Sequence, residues 1–394
     1  MAMPRETAED IRSRLCAWMN TTAFKPVSLS PLTGGQSNFT YHAELEQRVK
    51  AQDDSSKDIC EVIVKHGEPY MARHPSNAIT ADRCSVEAAC LKHLHALKPL
   101  QQSRQIVNYR VSTPECYLYD DKNKTQIQEY LAGTLDLKST LLKSCEKPLA
   151  LLSKQHYHHI GRALAEYISQ FHENTSPIAR DHAEDRKRPH LSTLHEAIGR
   201  SSEMQALKLM VNYDWLLERV EQFPDILKVV ARDVFVRVRE QGIEELKNGS
   251  AALTVIHGDF CPQNILIREE LPDRGDENDL FVVDWENAQI GVPAMDHGEM
   301  IGELYATWLF DGSHASLHVI DGYAAGLGPL PVDEALRIAT QVGVHLLSFG
   351  TLAQDKSESQ IDHIVREGRD IIVNSRNKSQ AWFNSHVLRC LFMN

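Results

Sequence analysis

The sequence predicts an α+β fold with two lobes: a first lobe built on an antiparallel β-sheet with one inserted helix, and a mainly helical second lobe. Two observations predict it. Short strand-like runs separated by turn residues fill the first third of the chain, and long segments with helical spacing of apolar residues follow Gly133. At 394 residues the chain is long enough for two lobes. We expect residues 1–131 to form the first lobe and residues 132–394 the second.

The first lobe is predicted to begin with a helix over about residues 7–20, because Ile11, Leu15 and Trp18 recur at helical spacing. Short apolar runs bounded by turn residues then predict strands at 26–32, 39–45 and 61–65. The polar run 47–58 predicts a hairpin loop or a solvated excursion. Helical spacing and a hairpin turn predict the remaining elements, which are a helix at 83–97 and strands at 115–119 and 125–131.

The second lobe is predicted to be helical over residues 149–173 and again over 209–247, with a break near Pro224. The polar stretch 174–193 between these segments predicts a loop or a lid. Apolar runs predict three strands, at 253–256, 264–267 and 280–283, with the acidic loop 268–279 joining the last two as a hairpin. Helices are expected to resume at about residue 297 and to continue to the end of the chain.

Composition and charge exclude several classes of function. The formal net charge of −12 gives no electrostatic basis for binding nucleic acid; it favours cationic small molecules, although solubility is the commoner reason for such a charge. The eight cysteines lack metal-binding spacing and are expected to be free thiols in a reducing compartment. The N-terminus has no apolar signal segment, and no apolar run reaches membrane-spanning length. We therefore expect a cytoplasmic protein with no membrane partner, of undetermined oligomeric state.

The strongest signal is the motif His257-Gly-Asp-Phe-Cys-Pro-Gln-Asn264, which lies between two predicted strands and is followed by Asp284 at the end of a third. Phosphoryl transfer needs a carboxylate that accepts the proton of the attacking hydroxyl group, and Asp259 suits that role. It also needs oxygen ligands for magnesium, and Asn264 and Asp284 supply them. The alternative is a polar loop with an Asx-turn. Asp284 disfavours this alternative, because a carboxylate at the end of a buried strand needs a partner such as a metal ion.

Glu286 follows Asp284 by two residues, which would place both side chains on the same face of an extended chain. From there it could reach a second magnesium ion or orient the first. A surface glutamate is the alternative, and the sequence favours neither. His257 is expected to support the loop by hydrogen bonding, because its neighbour already carries the base. The histidines at 156, 158, 159 and 172 are expected to be solvated or capping residues rather than metal ligands.

A glycine-containing segment between two predicted strands is a candidate phosphate-binding loop, with backbone amides and small polar side chains; it comprises Gly34, Gly35, Gln36, Ser37 and Asn38. A hairpin turn alone would explain it equally well. Lys65 ends the following strand, and Glu87 lies 22 residues later on a predicted helix. Given the downstream motif, we expect a Lys65–Glu87 ion pair that holds nucleotide phosphates.

Together these residues resemble the aminoglycoside phosphotransferase/choline kinase superfamily, which has a protein-kinase-like fold. The resemblance covers about residues 30–310. The glycine segment, the sequence Val64-Lys-His-Gly-Glu-Pro69 and the sequence Asp284-Trp-Glu286 are similar to those of methylthioribose kinase-like members, including the fungal hydroxytryptamine kinases.

The resemblance implies a kinase that uses ATP and Mg²⁺, with Asp259 as the base, Asn264 and Asp284 as magnesium ligands, and Lys65 on the α- and β-phosphates. It implies that adenine lies in the cleft between the lobes and pairs with the Glu129 carbonyl and the Leu131 amide. The acceptor is expected above Asp259. The candidate residues lining the acceptor site are Trp285, Glu303, Tyr305 and Trp308. For Trp308, packing in the hydrophobic core is the alternative.

The sequence therefore predicts transfer of the γ-phosphoryl group of ATP to a hydroxyl group of a small metabolite. The net negative charge of the chain makes a cationic metabolite one alternative. Two other functions stay open. One is a catalytically inactive nucleotide-binding or scaffolding protein with the same fold; the other is transfer to protein hydroxyl groups, which the short segment after Asp284 disfavours. The sequence identifies neither the acceptor nor the role of residues 174–215, nor whether one or two magnesium ions bind.

Overall fold

The computed structural model describes residues 6–51, 57–97, 109–146, 152–176, 189–228, 232–247, 253–269 and 278–393. The chain divides into two compact units. The first comprises the described residues of Met1–Leu97, Thr113–Ala132 and Ser192–Met204; the second comprises those of Lys98–Ser112, Gly133–Leu191 and Gln205–Asn394.

Eleven strands lie in the described residues: β1 (Pro26–Pro31), β2 (Phe39–Lys50), β3 (Asp58–His66), β4 (Tyr109–Ser112), β5 (Cys116–Asp120), β6 (Thr125–Glu129), β7 (Thr134–Asp136), β8 (Thr254–Ile256), β9 (Ile265–Arg268), β10 (Asn278–Val282) and β11 (Gln289–Gly291). The α-helices are α1 (Ala8–Met19), α2 (Arg83–Ala96), α3 (Leu137–Glu146), α4 (Lys154–Thr175), α5 (Pro189–Arg200), α6 (Ser202–Leu209), α7 (Trp215–Gln222), α8 (Pro224–Leu227), α9 (Arg232–Lys247), α10 (Pro293–Asp311), α11 (His314–Leu327), α12 (Val332–Ser348), α13 (Glu358–Arg376) and α14 (Gln380–Phe383).

The first unit contains the predicted antiparallel sheet, with strand order β1-β2-β3-β6-β5 and α2 between β3 and β5 along the chain. Helix α1 begins with a capping box in which Thr7 and Asp10 exchange hydrogen bonds, so two N–H groups of the first turn are satisfied. Its buried face carries Ile11 and Leu15, which belong to the same hydrophobic core as Val62 of β3. The apolar spacing of the sequence thus predicted both the helix and its buried face.

The β2–β3 pair is longer than predicted, because residues 47–50 and 58 are strand rather than loop. Opposite charges face each other across this polar part of the ribbon: Lys50 Nζ lies 2.6 Å from Asp58 Oδ1. Such pairs stabilise exposed strands that have no apolar pattern to reveal them. Residues 52–56 of the predicted excursion lie outside the described residues.

The second unit contains the predicted β9–β10 hairpin pairing, extended to a four-stranded sheet of order β4-β10-β9-β7 in which β4 runs parallel to β10. Strands β8 and β11 form a separate antiparallel pair. The predictions missed β4, β7 and β11, because runs of three or four residues are too short for a periodic signal. Part of each of the predicted loops 174–193 and 268–279 lies outside the described residues.

Helices account for most of the second unit, as predicted. Helix α10 begins at Pro293, four residues before the expected start, and α5 begins inside the predicted 174–193 loop. Helices α4 and α11 approach closely at Gly161 and Gly322, where an added Cβ atom would collide with the backbone of the facing helix. None of the helices in the described part of the chain combines the length and apolar character that a bilayer crossing requires.

Candidate active site

The loop of residues 257–264 connects β8 to β9 and places Asp259 against Asn264. The Asn264 amide nitrogen donates hydrogen bonds to the Asp259 carbonyl oxygen at 2.9 Å and to its carboxylate Oδ2 at 3.0 Å. A short 3₁₀ turn over Pro262–Asn264 brings the asparagine back toward the aspartate. Both side chains are partly exposed, whereas most of the loop around them is buried. The loop thus presents a carboxylate and an amide side by side.

Asp296 fixes the start of this loop. Its fully buried carboxylate accepts hydrogen bonds from the backbone N–H groups of His257 at 2.7 Å and Gly258 at 2.9 Å. His172 Nε2 lies 2.9 Å from the same carboxylate. This role is not visible in the sequence, because an aspartate just after Pro293 in the first turn of a helix is commonly found stabilising a helix start.

Gly258 has a positive φ of 79°, and an added Cβ atom would collide with the Asn287 carbonyl oxygen. Only glycine adopts this conformation without steric cost, and only glycine leaves room for the neighbouring backbone. The glycine of the motif therefore has a conformational reason, and it is the residue that Asp296 holds through its N–H group.

His257 supports the loop, as the sequence analysis expected. Its Nε2 atom donates to the Val283 carbonyl oxygen at 3.1 Å, and its Nδ1 atom accepts from the Asp259 N–H group at 3.2 Å. Burial lowers the pKa of His257, which agrees with a neutral ring that donates through one nitrogen and accepts through the other. His172 lies at the end of α4, as expected of a helix-end residue, but it is buried against Asp296 rather than solvated or capping.

Asp284 follows β10 in a left-handed conformation, with φ 68° and ψ 52°. A residue other than glycine adopts this conformation at a cost of roughly 1–2 kcal/mol, so the surrounding structure must hold it there. The preceding residue, Val283, donates its N–H group to the Asn264 carbonyl oxygen at 3.0 Å. The structure therefore brings Asp284 next to Asn264, and Asp284 also acts electrostatically on Asp259.

The chain after Asp284 is not extended, which corrects the argument made for Glu286. Residues Trp285–Asn287 form a 3₁₀ turn, and Glu286 is 4% exposed. Trp285 is fully buried; its ring packs edge-on against Phe171 at a centroid distance of 4.8 Å, and its Nε1 atom donates to the Val282 carbonyl oxygen. Such burial removes Trp285 from the candidate walls of an acceptor pocket.

Charged groups from other elements act on the carboxylate of Asp259. Burial, followed by the negative charge of Glu299, raises the pKa of Asp259 to about 7. Lys208 opposes this rise and is itself paired with Glu299, with 2.7 Å between Nζ and Oε2. Neither Lys208 nor Glu299 was predicted as a site residue. Nothing in the helical pattern distinguishes them from surface charges.

Asn264 and Asp284 fit a magnesium ion by their chemistry. Both supply oxygen donors, which Mg²⁺ prefers, and the Asn264 amide nitrogen is turned toward Asp259, so that its oxygen points away. Within the described residues, no cluster of three or more His, Cys, Asp or Glu side chains could hold a metal by itself. Two protein ligands are nevertheless usual where substrate phosphates complete the coordination of Mg²⁺.

The glycine segment connects β1 to β2 in the first unit. Gly34, Gly35 and Gln36 are exposed, and Gly34 has a positive φ of 134°. Carbonyl groups hold the segment in place: that of Gln36 accepts from the Arg73 N–H group, and that of Ser37 accepts from the Arg83 guanidinium. Of the five residues only Asn38 is buried, with its side-chain oxygen near Cys84 Sγ. It therefore anchors the segment and does not belong to its exposed part.

Lys65 and Glu87 form a buried ion pair in the first unit, with 2.7 Å between Nζ and Oε1. The second carboxylate oxygen of Glu87 accepts a hydrogen bond from Gln126 Nε2, and Gln126 pairs with Lys65 across β3 and β6. The spacing of 22 residues predicted the partner correctly. Glu129 ends β6 with its N–H group bonded to the Glu115 carbonyl oxygen; Leu131 lies two residues beyond.

The remaining acceptor candidates lie on α10. Glu303 accepts hydrogen bonds from Gln263, Lys138 and His345, so it connects α10 to the end of the 257–264 loop. Tyr305 is buried and donates to Glu367 Oε2. Trp308 is half-buried and stacks on Tyr305, with an interplanar angle of 9°. These contacts leave Glu303 and Trp308 with partly exposed surfaces.

Comparison with known proteins gives consistent results. The sequence matches the family described as APH, phosphotransferase enzyme family, over residues 28–337. It is 24% identical to "Phosphotransferase FrzJ" of Cladobotryum sp, covering 100% of this chain and 99% of that one. It is 22% identical to a 4-hydroxytryptamine kinase of Psilocybe cyanescens, covering 93% and 92%. Among solved structures, a GDP complex of an aminoglycoside 2'-phosphotransferase-IIIa mutant is similar, with a TM-score of 0.47, 15% identity, and coverage of 94% and 98%.

Proposed function

Because this chain belongs to the phosphotransferase enzyme family, we propose that it transfers the γ-phosphoryl group of ATP, with Mg²⁺, to a hydroxyl group of a small molecule. The observation that carries the proposal is the contact between Asp259 and Asn264, with Asp284 attached to the same loop through the Val283–Asn264 backbone hydrogen bond. A candidate proton acceptor and one candidate oxygen ligand thus share the 257–264 loop, and the second candidate ligand follows a residue that is hydrogen-bonded to that loop.

Asp259 is the proposed proton acceptor for the attacking hydroxyl group. Its side chain is partly exposed and is oriented by the Asn264 amide. A raised pKa near 7 makes the carboxylate a stronger base than an ordinary aspartate while it still ionises near neutral pH. His257 and Asp296 act only through the backbone, by holding residues 257–259 in position.

Asn264 and Asp284 are the proposed magnesium ligands, and Glu286 stays a candidate only for orienting them, because it is buried. The metal, when bound, would neutralise charge on the transferring phosphate. In the first unit, Lys65 is the proposed contact for the α- and β-phosphates, since Glu87 and Gln126 hold its ammonium group in one place. The carbonyl groups of Gln36 and Ser37 accept hydrogen bonds from Arg73 and Arg83. The backbone N–H groups of the exposed residues Gly34–Gln36 are therefore the candidates for binding phosphate.

For the adenine we propose pairing with the Glu129 carbonyl and the Leu131 amide, as the family resemblance implies. For the acceptor, Glu303 and Trp308 are the proposed contacts, together with Tyr305 as the ring on which Trp308 stacks. Two relatives named 4-hydroxytryptamine kinase make hydroxylated aromatic amines the first acceptors to test. A net charge of −12 is compatible with a cationic acceptor. A cytoplasmic location stays a prediction, supported by eight free cysteines.

The deciding experiment is an ATP-consumption screen of the purified protein with magnesium against hydroxylated amines, amino alcohols and sugars, followed by mass spectrometry of the product. We expect one class to give a product heavier by one phosphoryl group, and the Asp259→Asn variant to form that product far more slowly. Binding of ATP without turnover for any acceptor would instead support the inactive nucleotide-binding alternative. Phosphate on added protein, but not on small molecules, would support transfer to protein.

A further inference from the structure

Helix α10 lines the 257–264 loop with three carboxylates on one face. Asp296, Glu299 and Glu303 follow the i, i+3, i+7 spacing that places side chains on the same side of a helix. Asp296 binds the start of the loop through the Gly258 N–H group, and Glu303 binds its end through Gln263 Nε2 at 3.0 Å. Glu299 lies between these two contacts along the helix. By this spacing it lies on the side of α10 that carries the two loop contacts, and its negative charge acts on Asp259.

Lys208 provides the charge partner of Glu299. The two side chains are 2.7 Å apart, from Nζ to Oε2, and their exposed fractions are only 9% and 6%. A buried ammonium and a buried carboxylate each cost free energy unless they stay together, so neither side chain is a movable surface charge. Although burial opposes it, the charges of Glu299 and Asp259 raise the pKa of Lys208, which keeps the ammonium group charged.

The backbone at Lys208 is fixed as well. Its carbonyl oxygen accepts a hydrogen bond from Asn212 Nδ2 at 2.9 Å, within the π-helical turn Met210–Asp214 that follows α6. The Asn212 side-chain oxygen in turn accepts from Gln341 Nε2 at 2.7 Å. A π-helical turn is uncommon and is found often at functional sites. Here it anchors the lysine that reaches Glu299.

We propose that Lys208 is a positioning residue for phosphoryl transfer: it holds and neutralises Glu299, so that this second carboxylate does not repel the phosphate that must approach Asp259. The inference rests on the proposed function. Without Lys208, Glu299 would add an unpaired negative charge to a place that already contains Asp259 and Asp284. Repulsion from Glu299 would act strongly because Glu299 is buried, where charge is poorly screened.

The activity test uses Lys208→Met alone and together with Glu299→Gln. The single variant leaves Glu299 unpaired, and we expect kcat to fall by at least about tenfold while KM for ATP and for the acceptor change less than about threefold. The double variant removes both charges, so we expect kcat to return to within about threefold of the wild-type value. A double variant as slow as the single one, or a single variant with wild-type kcat, would overturn the proposal. If the single variant does not fold, Lys208→Gln takes its place, because the amide leaves the charge of Glu299 unneutralised but can still donate a hydrogen bond to it.

The control is the half-buried pair Lys356–Asp311, 2.7 Å apart in the same unit, for which no contact to the 257–264 loop or to the Met210–Asp214 turn is described. We expect Lys356→Met to lower the unfolding temperature slightly without lowering kcat by more than about twofold, because its loss is purely structural. An equal loss of kcat in the two single variants would show that any broken ion pair slows the enzyme, and would overturn a specific role for Lys208.

A second readout needs no turnover. Thermal unfolding without nucleotide at about pH 8 is measured for Lys208→Met, Asp259→Asn and the combination. We expect Asp259→Asn to raise the unfolding temperature more in the Lys208→Met background than in wild type. Additive shifts would overturn the electrostatic link. If the shifts are coupled but the wild-type protein phosphorylates no acceptor, the electrostatic link between Lys208 and Asp259 is retained and the proposed function is rejected.

Discussion

Asp296 Oδ1 accepts a hydrogen bond from the backbone N–H of Gly258 at 2.9 Å, across 38 residues of sequence. The other carboxylate oxygen binds the N–H group of His257. One buried side chain thus holds two consecutive peptide groups directly before Asp259. The geometry of the proposed base therefore depends on a residue that does not point at the substrate site.

Asp296→Asn should impair the enzyme without touching the substrate. The asparagine amide has only one oxygen, so its NH₂ group would face either the His257 or the Gly258 N–H group. At least one buried hydrogen bond is therefore lost, at a cost of roughly 1–3 kcal/mol. We expect a lower free energy of unfolding and a lower kcat, with a smaller change in ATP affinity. Urea unfolding, steady-state kinetics and calorimetric ATP titration measure the three quantities. Wild-type kcat in a destabilised variant would contradict a positioning role.

Gly258→Ala should be poorly tolerated. The positive φ of 79° strains any other residue, and the new Cβ atom would collide with the Asn287 carbonyl oxygen. We expect the free energy of unfolding to fall by roughly 1–3 kcal/mol and kcat to fall with it. Gly199→Ala is the matched control, since no atom lies within 4 Å of its added Cβ and no positive φ is involved. Equal stability of the two variants would contradict the steric argument.

Asp259→Asn should separate catalysis from binding. The amide keeps the shape of the side chain but cannot accept a proton, so we expect kcat to fall by roughly 10²- to 10⁴-fold while ATP affinity is nearly kept. Steady-state kinetics and calorimetric titration with ATP test this directly. Turnover within about tenfold of wild type would remove Asp259 from the role of general base.

Asp284→Ala should weaken the effect of magnesium on ATP binding. The proposed ligand supplies a carboxylate oxygen, and its loss leaves only Asn264 from the chain. We expect calorimetric titrations of wild type to show tighter ATP binding with magnesium than with a chelator, and the variant to show a much smaller difference. Glu286→Gln serves as the comparison, because Glu286 is buried in the following turn. An unchanged magnesium effect in Asp284→Ala would contradict the assignment.

Stability should decrease in mild acid because of His297. Burial lowers the pKa of His297 to about 3, whereas the unfolded value is about 6.5. Between these values the unfolded chain binds a proton that the folded chain does not, so the free energy of unfolding falls as the pH falls from about 6.5 toward 3. At pH 5 this group alone removes roughly 2 kcal/mol relative to pH 7.

His297→Gln tests that prediction by urea unfolding at the two pH values. His297 Nδ1 lies 2.8 Å from the Tyr323 hydroxyl, so the variant should lose stability at both pH values but lose less between them than wild type. The quantity to compare is the difference between the two pH values, not the stability at either one. An identical decrease in variant and wild type would assign the acid sensitivity to other groups.

Much of the site was predictable because local spacing carried it. The motif from His257 to Asn264 could be read along the chain, and its turn back between β8 and β9 is short enough that Asp259 and Asn264 must meet. The Lys65–Glu87 pair was predictable as well, once the strand and helix that carry them were recognised. In these cases the sequence separation is small or the elements are strongly periodic.

The failures have one physical cause. Trp285 looks like an exposed aromatic beside an aspartate, but a left-handed Asp284 turns it into the core, which periodicity does not reveal. His172 lies in the last turn of α4, yet it meets Asp296, which is 124 positions further along the chain. Lys208 and Glu299 look like ordinary helical charges. Contacts of this kind follow from helix packing over long sequence distances, which leaves no trace in local spacing.

The sequence by itself predicted the two-lobed fold class, most of the longer strands and helices, and Asp259, Asn264 and Asp284 as candidate site residues, because each of these depends on residues close together in the chain. Tertiary structure alone decided what holds the base in place and what surrounds it with charge. Asp296 meets the residues before Asp259, and Lys208 meets Glu299, only once α10 has packed in the folded chain, and packing is a property of the whole chain rather than of any segment.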